Sequence, residues 1–115
     1  MSDLKIWHNP RCSKSRQTLA LLEERGLEPQ IIDYREIPPS EAELQGLLKI
    51  LNCKAIDIMR SNDALFGELG LAKSDSNAVL IAAMIQNPML IERPIVFANG
   101  KAAIGRPPEA VLEIL

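Results

Sequence analysis

The break at His8-Asn9-Pro10 separates a weakly alternating, β-compatible run, Leu4 to Trp7, from a helix-compatible run, Ser13 to Arg25. Gly26 suits the C′ position that ends such a helix, and Gln30 to Tyr34, with adjacent isoleucines, then reads as a short buried strand. Strand, helix and strand in this order assemble as a βαβ unit. That unit commits the start of the chain to a parallel strand pair bridged by a helix.

Beyond it, Ser40 and Glu43 form an S-x-x-E capping box after Pro38-Pro39, and Leu44, Leu47, Leu48 and Leu51 follow at helical spacing. Lys54 to Asn87 reads as further short helices, broken at Asn62-Asp63, Gly70 and Asp75-Ser76, the last segment being apolar nearly all round. Pro94 to Ala98 reads as a strand, Asn99-Gly100 as a type I′ turn, and Lys101 to Ile104 as the returning strand. Pro107-Pro108 then opens a final helix expected to turn Val111, Leu112 and Leu115 inward. The order β-α-β, helices, β-β-α suits an α/β fold with a mixed four-stranded sheet and flanking helices, while leaving other α/β sandwiches open. With 115 residues, 47% of them apolar, one domain spanning 1–115 is expected.

Lys and Arg total 13 against 15 Asp and Glu, so no overall field attracts nucleic acid, and any anion site must be local. Two cysteines are too few for a disulfide framework, and no secretory leader pattern opens the sequence, which points to a reducing cytoplasm. The apolar stretch Val79 to Ile85 is far short of the ~18 residues that a membrane span needs. Neither a membrane nor a nucleic acid is expected as a partner.

Cys12 falls at the start of the first helix, where unpaired backbone N–H groups and the helix dipole favour a thiolate. His8, Arg11, Lys14 and Arg16 surround it, with no acidic residue between Leu4 and Leu22. Ser13 and Ser15 add hydroxyls able to donate to the thiolate or to a bound oxyanion. A free cysteine is commonly a small buried hydrophobe, and Cys53, beside Leu51 with Lys54 as its adjacent charge, takes that reading.

Several thiol chemistries fail on spacing. Position 15 is serine, so there is no C-x-x-C dithiol, and Cys12 needs an outside thiol to resolve it. Thr18 stands where a cysteine phosphatase loop requires arginine. One histidine and two distant cysteines give no zinc spacing, so no metal is expected. Arg60, Arg93 and Arg106 lie at loop or strand-end signals, where guanidinium groups can bind a tetrahedral oxyanion bidentately. Singly, each is commonly a surface residue, and spacing leaves open whether they converge on Cys12.

His8-Asn9-Pro10-Arg11-Cys12-Ser13-Lys14-Ser15-Arg16-Gln17-Thr18-Leu19 resembles the H-N-P-x-C-x-x-S-R-x-T-L signature of the glutaredoxin-linked arsenate reductases. Glu92-Arg93-Pro94-Ile95-Val96 and Gly105-Arg106-Pro107-Pro108-Glu109 resemble that family's second and third signatures, with a broadly distributed, incompletely assigned branch as the best match. The resemblance implies a thioredoxin-like fold with a helical insertion over about 40–90 and a cis Pro94. It implies Cys12 as nucleophile, with Arg60, Arg93 and Arg106 binding arsenate or a similar oxyanion and His8 tuning the local field. Ser15 and Pro94 are supporting residues. Glutathione would be the external reductant and glutaredoxin the partner, with no bound cofactor. Two alternatives stand beside this enzyme reading: a module of the same fold that docks on RNA polymerase, and a monothiol oxidoreductase acting on another substrate. Ser15 argues against the redox-switched form of the first, which carries C-x-x-C.

Overall fold

The computed structural model describes residues 3–115, which divide into two compact units, residues 3–37 with 93–115 and residues 38–92. In the first unit, β1 (Lys5–His8), α1 (Ser13–Glu24) and β2 (Gln30–Asp33) form the expected βαβ unit, β1 and β2 pairing in parallel. After them, β3 (Ile95–Ala98) and β4 (Lys101–Ile104) form the expected hairpin. Asn99 and Gly100 at its tip have φ of 55° and 73°, the left-handed pair that a type I′ turn requires. β3 pairs antiparallel with β1, giving a mixed four-stranded sheet of order β2-β1-β3-β4.

Alternation of side chains gives the sheet two apolar faces. Leu4, Ile6, Val96 and Ala98 cluster with Leu22 of α1 and with Val111. On the other side Trp7 tilts against Phe97 at 4.9 Å between ring centroids, and the Lys5 ammonium lies over the same Phe97 ring.

Two expectations for this unit are corrected. β2 is an edge strand, and Ile31 keeps 51% of its surface exposed, because only β1 flanks it. The final helix is a 3-10 helix, Pro108–Ile114, whose i→i+3 bonding begins with the Ala110 N–H donating to the Pro107 carbonyl. A three-residue period puts Val111 and Ile114 on the inner face, so Leu115 is exposed rather than turned inward.

In the second unit, α2 (Glu41–Leu51) begins at the expected capping box. The Ser40 hydroxyl accepts the Glu43 N–H, and the Glu43 carboxylate accepts the Ser40 N–H. A 3-10 turn (Ala55–Ile58), α3 (Ala64–Glu68) and α4 (Asn77–Gln86) follow, with breaks where Asn62-Asp63, Gly70 and Asp75-Ser76 mark them. α4 packs on α2 and on short 3-10 turns at 55–58 and 88–90, burying Leu80, Ile81 and Met84. Among the described residues no helix is long and apolar enough to cross a membrane.

Gly105, just after β4, is closely surrounded. A Cβ there would lie 2.6 Å from Thr18 Oγ1 and 2.7 Å from Pro94 Cγ, and Thr18 is fully buried. Gly105→Ala should therefore lower unfolding stability by about 1–3 kcal/mol. Urea denaturation checks this, and an unchanged midpoint would show that the contact relaxes freely.

Candidate active site

The loop after β1 wraps back to make the helix start. The Cys12 N–H donates to the Asn9 carbonyl at 3.0 Å, the Asn9 side chain accepts the Arg11 N–H, and the Cys12 carbonyl accepts the Arg16 N–H as the first bond of α1. Cys12 is thus the N-cap residue, half-buried, with its sulfur among the free N–H groups of the first helical turn. Burial opposes the thiolate, yet the pKa of Cys12 is lowered overall. The Ser15 N–H, the Arg93 side chain, the Lys14 N–H and the charge of Arg106 outweigh that cost.

Arg106 places Nη2 3.6 Å from Cys12 Sγ, and its Nε donates to the Arg93 carbonyl at 2.9 Å. Arg93, 8% exposed, also hydrogen-bonds Sγ. The peptide bonds Arg93-Pro94 and Arg106-Pro107 are both cis, the first as the resemblance implies and the second unforeseen. The structure therefore brings Arg93 and Arg106 together on Cys12. Arg60 belongs to the second unit, where its guanidinium lies 3.4 Å from the Glu92 carboxylate and 3.7 Å from that of Asp63.

His8 and Ser15 form a separate chain of hydrogen bonds. The Asn9 N–H donates to Ser15 Oγ at 3.0 Å, and Ser15 Oγ lies 2.6 Å from His8 Nδ1. Burial pushes the His8 pKa down. Asp33 pulls the other way but is tied by a bidentate pair to Arg35. A neutral ring accepting the serine proton at Nδ1 completes the chain. The cationic groups that favour the thiolate most are Arg93 and Arg106, while burial favours the neutral form of His8. Arg16 turns its guanidinium to the Pro10 carbonyl. The Ser15 hydroxyl is likewise engaged away from the sulfur, and its backbone N–H makes the contact.

Comparison with known proteins now decides the family, since the model of the ArsC family matches residues 7–114. The chain belongs to the ArsC family. It is 47% identical to an arsenate reductase of Neisseria meningitidis serogroup A over all of both chains. It is also 58% identical to YfgD of Escherichia coli K12, an uncharacterized protein, over 97% of this chain and 96% of that one. The solved arsenate reductase from Vibrio cholerae, 52% identical, superposes with a TM-score of 0.93 over 97% of each chain. The mixed sheet described above is accordingly the thioredoxin-like fold of ArsC proteins.

Two residues in this ArsC site were not singled out from the sequence. Asn9 shapes the Cys12 loop, and Tyr34, fully buried just past β2, lies within 3.5 Å of Asn9 Nδ2. Asn9 stands inside the first signature, which was a signal. Tyr34 had only its place at the end of β2, beside the end of β1.

Cys53 is the opposite of Cys12: burial, then the charge of Asp57, pushes its thiol up. Alkylation near neutral pH should label Cys12 well before Cys53, and equal native rates would remove the distinction. The one histidine gives a second test. His8 should titrate below its ordinary 6.5 in proton NMR. Because its folded pKa is depressed, the stability it contributes is present above about pH 6.5 and fades as pH falls through the folded value. A midpoint at or above 6.5 would contradict the neutral, buried ring.

Proposed function

We propose that this chain reduces arsenate to arsenite, with the Cys12 thiolate as nucleophile and glutathione and glutaredoxin as the electron source. The meeting of Arg93 and Arg106 at Cys12 Sγ carries the reading. A thiolate and two guanidinium groups form a site that attracts a tetrahedral oxyanion and puts a nucleophile against its central atom. Relatives that share the fold over nearly the whole chain are arsenate reductases. For Arg60 an oxyanion-binding role rests on the family resemblance alone.

In the first step Cys12 Sγ bonds to arsenic(V), and an arsenic–oxygen bond breaks, its oxygen leaving as water after taking a proton. Arg93 and Arg106 hold the remaining oxygens and offset their charge. Glutathione thiolate then displaces a second oxygen, again as water, leaving arsenic bound to Cys12 and to glutathione. A glutaredoxin thiolate attacks the glutathione sulfur, and the arsenic–sulfur electron pair stays on arsenic, which becomes arsenic(III). The two electrons come from the two thiols, which leave as a mixed disulfide. Water then releases arsenite and restores Cys12.

NADPH oxidation coupled through glutathione reductase, glutathione and glutaredoxin tests the proposal, and it should depend on arsenate. Cys12→Ser should abolish it, while Cys53→Ala should keep most of it. Arg93→Lys retains charge but loses the planar fork, and kcat/KM should fall roughly tenfold or more, the equivalent of one charge-assisted hydrogen bond. No arsenate-dependent oxidation would overturn the reading. A Cys12–Cys53 disulfide formed in turnover without glutathione, seen by mass spectrometry, would overturn its external-thiol step.

A further inference from the structure

Tyr34 is a buried titratable group with no part in the proposed steps. Its side chain is fully buried, and its hydroxyl oxygen is reached by two donors, Asn9 Nδ2 at 3.5 Å and the Arg93 guanidinium. Those partners are themselves tied to Cys12. Asn9 accepts the Cys12 N–H through its carbonyl, and Arg93 hydrogen-bonds the sulfur. We infer that Tyr34 is a positioning residue of this site, its hydroxyl oxygen holding the buried Arg93 guanidinium against Cys12 Sγ and against any oxyanion bound there.

The choice of a phenol has a physical reason. A buried guanidinium needs acceptors for its N–H groups. A carboxylate acceptor would supply them but would also neutralise the charge that the sulfur and an oxyanion need. Burial, and the negative charge of Cys12, push the Tyr34 pKa up despite Arg93, so the acceptor is a neutral phenol. It fixes Arg93 without spending its charge. The Asn9 amide donates to the same oxygen and links it to the loop that carries Cys12.

Tyr34→Phe keeps the ring and removes only the acceptor. The pH profile of Cys12 alkylation by iodoacetamide, in a Cys53→Ala background, reads the effect without any substrate. The midpoint should move up, slowing alkylation at pH 7 by up to about tenfold, the change that one pKa unit makes in thiolate fraction. Because the hydroxyl acts through Arg93, adding Tyr34→Phe to Arg93→Lys should slow alkylation little further. Circular dichroism establishes that each variant is folded. An unmoved midpoint in folded Tyr34→Phe, or fully additive losses in the double variant, would overturn the inference.

The oxyanion half of the inference rests on the arsenate reading and has its own measurement. If the native chain reduces arsenate, Tyr34→Phe should raise KM by a larger factor than it lowers kcat, and an unchanged KM would overturn this half. If the native chain does not reduce arsenate, the proposed function fails, while the alkylation profile still decides the role of Tyr34.

Discussion

Burial at Cys12 works against a negative sulfur, and donors from three stretches of chain turn the balance towards the thiolate. The helix start supplies the N–H groups of Ser15 and Lys14. Arg93 and Arg106 must be delivered from the far end of the sequence, and the sheet does this. β3 lies antiparallel against β1, so Arg93, just before β3, arrives where β1 ends, with Trp7 opposite Ile95. The hairpin then returns β4 alongside β3, with Ile104 opposite Ile95, and Arg106 follows two residues later. The close passage of Gly105 by Pro94 and Thr18, and the bond from Arg106 Nε to the Arg93 carbonyl, bind the two arginines to one another.

Features set by neighbouring residues were legible in the sequence. The Ser40–Glu43 box, the Asn99-Gly100 turn and the breaks between the short helices each act within a few residues, where side-chain chemistry decides backbone geometry. Features set by distant packing were not. Two adjacent isoleucines suit a central strand and an edge strand alike, so the exposure of Ile31 depends on sheet order. Leu115 follows from a three-residue helical period that hydrophobic spacing over so short a segment does not distinguish from 3.6. At the site, local basic residues suggested the source of positive charge, but Arg16 turns its guanidinium to the Pro10 carbonyl and burial favours the neutral form of His8. The sequence motifs named Arg93 and Arg106. Their convergence on sulfur is tertiary.

The arginines differ in what holds them, and the difference bears on what each can do. Arg60 lies between the carboxylates of Glu92 and Asp63, both partly exposed, so much of its charge is answered within its own unit. Arg106 is held by a backbone carbonyl, and Arg93 by a phenol and the sulfur. A backbone carbonyl or a phenol satisfies N–H groups while leaving the positive charge available to an anion such as the sulfur. A guanidinium fixed in this way is preorganised for charge that develops during reaction.

Ser15 shows why position 15 does not serve as a second thiol. Its side chain is fully buried, and its hydroxyl takes the Asn9 N–H while facing His8 Nδ1 at 2.6 Å, filling both roles a hydroxyl has. A thiol is a weaker donor and acceptor with a larger atom, and in that buried place it would weaken the bonds that hold the loop under Cys12. The same residue presents its backbone N–H to the sulfur. Position 15 is therefore committed to building the nucleophile rather than to resolving it. Cys12 itself is only half-buried, which leaves the sulfur open to an attacking thiol from solution. That division of labour supports the proposed external reductant: the local hydrogen bonds around position 15 favour one reactive sulfur and leave no room there for a second.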